Sequence, residues 1–458
     1  MSTNLLCAGF ARVNITPPLG VAITGYFDAR HAKGILDELE ANAIAVSCGD
    51  DKAVFISIDT LSTPNRTMSE QIRNHIAEVT GIPFEGVFMC ATHIHTGPMW
   101  GRRKPPQWAS DEVVKLSEEY AAFMYRRLGD VAKMAVDDLK PAHLGYAIGN
   151  VPGISFVRRY FMKDGSIQTN PGVNNPNIDK PTGAPDERVN VLRFVRENTD
   201  DILLVNFGTH PDVIGGEFIS ADWPGFTRRT LEKTLPNVKC AFFNGAQGDV
   251  NHINVFPKAK PDSMKDQSPK TTKGYEHARF MGQAVAGAVL QVFGDLQYVD
   301  VDSVRFAQKI VDVPSNMPQP SDMENAYRIA KLHEEGKDDE IPNIGMGKVT
   351  LIAEAQRMIA LEHGPAAFPM TIAVIAFGKM ALVGIPGEPF TRIGTGIKAT
   401  EGWDVIMPCC NSNTAEGYFP MYDSYAEGGY EARSSRFKAG VSELIVKEAK
   451  ELLDKLKL

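Results

Sequence analysis

His93 and His95, separated by one residue, close the run Glu85-Gly-Val-Phe-Met-Cys-Ala-Thr-His-Ile-His-Thr-Gly-Pro98. Imidazoles hold divalent metals and carry protons near neutral pH. The apolar residues 87–90 read as a buried strand, and Gly97-Pro98 as its end. If strand geometry persists through the histidines, the two-residue period puts both rings on one face. By spacing alone the pair reads either as a metal or catalytic site or as surface histidines beside a turn.

Three further groups follow short apolar runs in the same manner: His210 after 202–207, Asp249 after 238–243, and Glu388 after 380–385. Four strand ends that each carry a ligand or proton-transfer group point to one site assembled by folding. Each also has a plain alternative. His210 could be bonded to backbone, and Glu388 could sit in the first turn of a helix, where the dipole favours a carboxylate. Asp249 and Asp222 could be turn or cap residues.

The elements that must position these groups alternate between strand-like and helix-like text, which predicts an α/β fold of mixed sheets flanked by helices. In such a fold, site residues lie on the loops at strand ends. Expected strands cover 41–47, 53–59, 190–194, 202–207, 238–243, 301–313, 370–377 and 380–385. Expected helices cover 69–79, 112–138, 275–292, 323–335, 351–361 and 437–456. Residues 149–185, rich in Gly, Asn and Pro, read as a long loop, a length that usually builds a site or lid. The helical pair near 323–361 reads as a cap inserted at 314–366 within one domain spanning 1–458.

Composition narrows the partners. The 458 residues are 43% hydrophobic and 23% charged, enough for a sizeable core. Lys and Arg total 48 against 56 Asp and Glu, a net charge of −8 with no basic run. Nucleic acid and anionic membranes reward clustered basic residues, so both are disfavoured. The start lacks a basic n-region followed by a long apolar h-region, and no apolar stretch approaches the ~20 residues of a membrane helix. Six cysteines without a CxxC argue against a disulfide framework or a cysteine zinc site. The expected setting is the cytoplasm, with a small-molecule substrate.

Taken together, the motifs resemble the catalytic domain of the neutral, non-lysosomal ceramidases, zinc-dependent amidohydrolases, in order from Gly9-Phe-Ala-Arg-Val-Asn-Ile-Thr-Pro17 to the tyrosines near 430. Ala91-Thr-His93-Ile-His95-Thr-Gly-Pro98 resembles the family's His-Thr-His-Ser-Gly-Pro motif. The resemblance implies zinc on His93, His210, Glu388 and Tyr418, with His95, Arg158 and Tyr430 contacting the reacting group. Tyr418 and Tyr430 keep the family's interval of about twelve residues; the plain reading makes them pocket walls. Arg158 aligns better than its neighbour Arg159, and Ser220-Ala-Asp222-Trp-Pro-Gly225 resembles a pocket-lining segment.

The chain also departs from that family. Where ceramidases carry Gly-Asp-Val-Ser-Pro-Asn, this chain reads Gly248-Asp249-Val250-Asn251-His252-Ile253-Asn254. Asn251 replaces the attacking serine, and a carboxamide cannot serve as that nucleophile. Zinc lowers the pKa of bound water from ~15.7 to about 7, so a metal-held hydroxide is the expected nucleophile. Asp249 or His95 could shuttle its proton, and Asn251 could orient the water or an oxyanion. His252 is an additional titratable group without a counterpart in the motif. A soluble amide, lactone or sugar derivative fits the expected substrate better than a lipid. A metal-assisted lyase or isomerase acting on a sugar-like substrate stays open, as does an inactive metal-binding homologue. Zinc suits the nitrogen-rich ligands, and another divalent metal could occupy the same mixed site.

Overall fold

The computed structural model describes residues 5–101, 108–257, 273–343 and 345–457. Among these residues, eight strands of the main sheet follow the order Val238–Asn244, Asp201–Phe207, Arg188–Arg196, Lys140–Asn150, Leu6–Asn14, Glu40–Cys48, Asp51–Ile58 and Val87–Ala91. A ninth, Gln297–Val299, joins Lys140–Asn150 from the side. Interior neighbours run antiparallel, whereas the outermost pair at each end is parallel. A second sheet of four orders Val304–Pro314, Ala367–Phe377, Met380–Gly384 and Val405–Cys409, and its last pair is also parallel.

Side-chain alternation explains how these sheets stack. Ile44, Val46, Phe55, Phe88 and Phe194 of the main sheet share one buried cluster with Ile375, Phe377, Leu382 and Met407 of the second. Their neighbours along the strands, Ala43, Ala45, Val54, Ile56 and Met89, turn the other way, onto helices Arg66–Thr80 and Asp111–Asp137. At the other half, Val189, Val191, Val205 and Phe242 pack with helices Asp222–Thr234 and Tyr275–Val292. Helix Val441–Lys455 covers the outer face of the second sheet through Ile445, Ala449 and Leu453. The two sheets therefore lie face to face between outer helices, a mixed α/β arrangement.

The long helices carry their own boundary signals. Asn65 accepts from the Met68 amide at the start of Arg66–Thr80, and Gly81 ends it at φ 72°. Ser110 caps Asp111–Asp137, whose first turn holds Asp111 and Glu112 against the positive end of the dipole. Its buried stripe of Tyr120, Met124, Leu128, Val131 and Ala135 keeps helical spacing.

Parallel neighbours require a crossover, here supplied by helices Arg66–Thr80, Asp222–Thr234 and Thr391–Lys398. All three pairs bring their carboxyl ends to one place. Asn244 Nδ2 donates to the Thr92 carbonyl at 3.1 Å, the Cys410 amide to the Asn244 carbonyl at 3.0 Å, and the Ala91 amide to the Asn411 carbonyl at 3.3 Å. Ligands in open α/β sheets bind at such carboxyl ends.

Several expectations need correction. Residues 149–185 are not one loop: they hold the short strands Phe156–Val157, Arg159–Met162, Ile167–Thr169 and Ile178–Pro181, the last three forming a small sheet. Runs of two to four residues are too short to display a two-residue period. The final helix starts at Val441 rather than 437, because Gly440 at φ 104° breaks the chain before it. Helix Asp222–Thr234 escaped notice behind its Trp-Pro-Gly start, where proline fits a first turn.

One buried ion pair locks two of these units together. Arg228, on helix Asp222–Thr234, forks onto both oxygens of Asp59 at 2.9 and 2.5 Å, and Glu40 lies 3.3 Å away. Asp59 stands one residue beyond strand Asp51–Ile58 and accepts from Thr92 Oγ1 at 3.2 Å. Removing one partner of such a pair strands the other charge. Asp59→Ala is therefore expected to lower unfolding free energy by about 3–5 kcal/mol in chemical denaturation; a loss below 1 kcal/mol would show that Glu40 alone suffices.

Candidate metal centre

Strand Val87–Ala91 stops before the histidines. The Thr92 amide donates to the Ile58 carbonyl and the His93 amide to the Thr60 carbonyl, both at 2.9 Å. His93 then takes φ 72°, a left-handed conformation that a non-glycine residue adopts only when its surroundings hold it there. The condition that strand geometry persist through the histidines is therefore not met. The rings nevertheless converge, with centroids 5.1 Å apart and planes at 87°. His210 joins them, its centroid 4.8 Å from His93 and 5.5 Å from His95. All three histidines are buried, and one nitrogen from each lies within 4.8 Å of the others.

Backbone carbonyls set the orientation of two rings. His93 Nδ1 lies 2.7 Å from the Leu61 carbonyl, and His210 Nδ1 lies 2.9 Å from the Gln247 carbonyl. A carbonyl can only accept, so each Nδ1 carries a hydrogen, and Nε2 is the atom left to bind a cation or a second proton. The Asn411 carboxamide stands 3.0 Å from His93 Nδ1, where its oxygen fits once the amide is turned over. The two Nε2 atoms face each other at 3.2 Å.

Glu388 completes this triangle. It lies on the two-residue strand Glu388–Pro389, paired in parallel with Tyr418–Phe419, so that Glu388 and Tyr418 are direct partners. Helix Thr391–Lys398 begins only after it, which removes the first-turn alternative. Glu388 Oε2 stands 3.2 Å from His93 Nε2 and 3.3 Å from His210 Nε2. Glycines allow the loops this close: a Cβ on Gly248 would meet the Glu388 carbonyl at 2.5 Å, and one on Gly208 would meet the Ala246 carbonyl at 2.6 Å.

Charge follows the same geometry. Burial would raise the Glu388 carboxyl, but positive charge and N–H donation from the adjacent His93 and His210 hold it well below the usual range. Burial, with Arg158 nearby, pushes His210 down toward the neutral imidazole that a metal requires. His95 is pushed well down by burial and by His93. Burial and the Glu388 charge drive the Tyr418 phenol well up. Three electron-pair donors at 3.2–3.3 Å, the two rings oriented by carbonyls behind them, leave a place that a divalent cation would fit.

The other anticipated residues separate into two groups. Arg158 turns inward: its Nη1 is 3.5 Å from His210 Nε2, and it hydrogen-bonds Tyr418, whose ring stacks on His210 at 6.4 Å. Arg158 is itself fixed by Glu431 at 2.6 Å and the Gly248 carbonyl at 2.8 Å. Tyr430 lies 5.6 Å from Tyr418, ring to ring. Arg159 points away, to Ser424 and the Gly428 carbonyl. Asp249 Oδ1 accepts from the amide and hydroxyl of Thr391, while its own carbonyl accepts from the Arg158 amide. The Asn251 carboxamide bonds Asn170 and the Ile253 amide. Asp222 accepts from the Ile214 and Trp223 amides, and burial raises its carboxyl to about 7. His252 faces Asp212 at 3.0 Å.

Leu61, Gln247, Asn411 and Glu431 were not anticipated. The first two act through backbone carbonyls, which no side-chain pattern reveals. Asn411 does carry a signal, since it follows strand Val405–Cys409 as His93 follows Val87–Ala91. Glu431 stands beside Tyr430 in the Gly-Tyr-Glu run.

No protein-family model matches the chain, and no curated protein sequence matches it. Among solved structures, the neutral ceramidase from Pseudomonas aeruginosa is similar, with a TM-score of 0.71 and 17% identity over 99% of this chain and 75% of that one. A ceramidase complexed with C2 gives the same TM-score and coverage at 16% identity. The fold is neutral-ceramidase-like.

The glycine contacts are testable apart from activity. Gly248→Ala is expected to cost about 1–3 kcal/mol of stability and to weaken divalent-metal binding at least tenfold by moving Glu388. Denaturation and metal titration measure both, and unchanged metal affinity would refute the role given to this close approach.

Proposed function

We propose that this chain is a metal-dependent hydrolase acting on a carbonyl-centred bond of a small amide, lactone or sugar derivative. The observation that carries this reading is the packing of His93 Nε2, His210 Nε2 and Glu388 Oε2 within 3.2–3.3 Å of one another. These three would hold the cation, zinc by preference for its nitrogen-rich ligands, with Tyr418 as the fourth group. When bound, the cation would polarise the carbonyl and acidify water.

The chain's own groups supply the rest. Arg158, held by Glu431 and the Gly248 carbonyl, presents fixed positive charge to the carbonyl oxygen. His95 has two ring nitrogens without a partner among the described residues, and one can accept the proton of the attacking water. Tyr430 lines the same space beside Tyr418. Water supplies the new oxygen, the bond to the nitrogen or oxygen leaving group breaks, and His95 returns its proton to that group. A side-chain nucleophile at position 251 is absent because Asn251 stands there, its amide already bonded to Asn170.

Residues 314–366 are proposed as a cap on this domain. Helices Met323–Glu334 and Gly345–Glu362 pack together around Ile329, Ile341 and Ile352, with Phe27 against them. Arg433 pairs with Glu354, and Arg357 donates to the Arg433 carbonyl at 2.8 Å. The pair thus touches chain on either side of the centre, near Gly25 and near Tyr430.

Purified protein is expected to bind one divalent cation per chain, and chelation should abolish turnover in a screen of amides, lactones and glycosides. His93→Ala and His210→Ala should lose both metal and activity; full activity in either metal-free variant would end this reading. Hydrolysis in oxygen-18 water places one label in the product, whereas unlabelled product would favour a lyase or isomerase.

A further inference from the structure

Among the groups around the centre, the Arg158 guanidinium stands at odds with its setting. Its Nη1 is 3.5 Å from His210 Nε2, so a divalent cation held by His93, His210 and Glu388 would repel it. The side chain is long and rich in rotamers, and without restraint it would swing away. The restraint is Glu431, whose side chain has no exposed surface and whose Oε1 accepts from Arg158 Nε at 2.6 Å. Glu431 Oε2 lies 3.7 Å from Arg159 Nε, and Arg159 is itself tied to Ser424, Glu427 and the Gly428 carbonyl. The carboxylate is therefore gripped from both sides and cannot turn with Arg158.

The same side chain reaches the second tyrosine. Glu431 Oε2 lies 2.9 Å from Thr169 Oγ1, and a carboxylate only accepts, so the hydroxyl donates. A lone pair of that hydroxyl then serves the Tyr430 amide, which donates to it at 3.3 Å. Register sets Thr169 in place: it pairs with Arg159 across the strands Arg159–Met162 and Ile167–Thr169. Gly429 brings the Tyr430 chain alongside at φ 89°, a conformation that suits glycine. Arg158 beside His210 and Tyr430 beside Tyr418 thus hang from one buried carboxylate.

We propose that Glu431 is the positioning residue of this centre: it holds the Arg158 guanidinium in place against a bound cation and, through the Thr169 hydroxyl, sets the backbone of Tyr430. This rests on the hydrolase reading, in which both groups face the reacting carbonyl. Negative charge behind the guanidinium offsets the repulsion in front of it, so a cation and a fixed positive charge can share one pocket. Arg159 stays outside that pocket; its share is to keep the carboxylate from turning. A neutral isostere at position 431 would keep the shape but leave Arg158 unbalanced beside the cation.

Zinc titration of the full-length chain against a competing chelator tests the assignment. Glu431→Gln is expected to weaken zinc binding about tenfold. Adding Arg158→Met should restore affinity to within about threefold of the wild type, because the unbalanced charge is then gone. A merely structural role predicts no such recovery. On the zinc-loaded chain, acetohydroxamate supplies a carbonyl probe: Thr169→Val should bind it about threefold more weakly, and Thr169→Ser as well as the wild type does. Wild-type zinc affinity in Glu431→Gln, or no recovery in the double variant, would overturn the proposal and leave the hydrolase reading standing. Unchanged hydroxamate affinity in Thr169→Val would do the same, and that measurement decides alone if Glu431→Gln does not fold. A wild-type chain that takes up no zinc would remove both readings.

Discussion

Three electron-pair donors within a space of 3.2–3.3 Å repel one another unless a proton or a cation lies among them. His93 Nε2, His210 Nε2 and Glu388 Oε2 do share it, and the protein has arranged that neither imidazole can relieve the crowding by turning. Each ring is pinned from behind by a backbone carbonyl that accepts the Nδ1 hydrogen. Around this constraint the left-handed backbone at His93, the glycines at 208 and 248, and the forked pair of Arg228 with Asp59 become intelligible. Each lets chain approach, or holds chain, where unfavourable proximity would otherwise push it apart.

The topology makes that proximity possible. A parallel pair of strands with its crossover helix presents two loops at one end, and three such units here present theirs to a common point. His93 and His95 come from one unit, His210 from another, and Glu388 with Asn411 from the third. The antiparallel strands between them set spacing and bury the core, but contribute few groups to the centre. Arg158 is the exception: it sits between the short strands Phe156–Val157 and Arg159–Met162, where it reaches His210 and Tyr418.

Much of this was legible in the residues, for identifiable reasons. Long elements such as Asp111–Asp137 and Tyr275–Val292 announce themselves by sustained spacing of apolar residues, and the strands that precede His210 and Glu388 are mostly apolar runs because both faces are buried. The short strands between 156 and 181 hold too few residues to show any period. His93 departs from its strand because two backbone bonds, to Ile58 and Thr60, come from chain some thirty residues earlier. The carboxylate of Asp249 looked chemical by position, yet Thr391 claims it; that contact spans 142 residues and leaves no trace in either local sequence. The pairing of Glu388 with Tyr418 is likewise a matter of register.

Pro314 and Ala367 are neighbours across an antiparallel pair, and the Ser315 amide bonds the Ala366 carbonyl at 2.9 Å. The excursion between them leaves and re-enters the sheet through a single rung. Its entropy of closure therefore grows only slowly with length, and the strands on either side are indifferent to what lies between. Such a rung is a natural graft point: the excursion can change in length or sequence without rebuilding the scaffold that holds the centre.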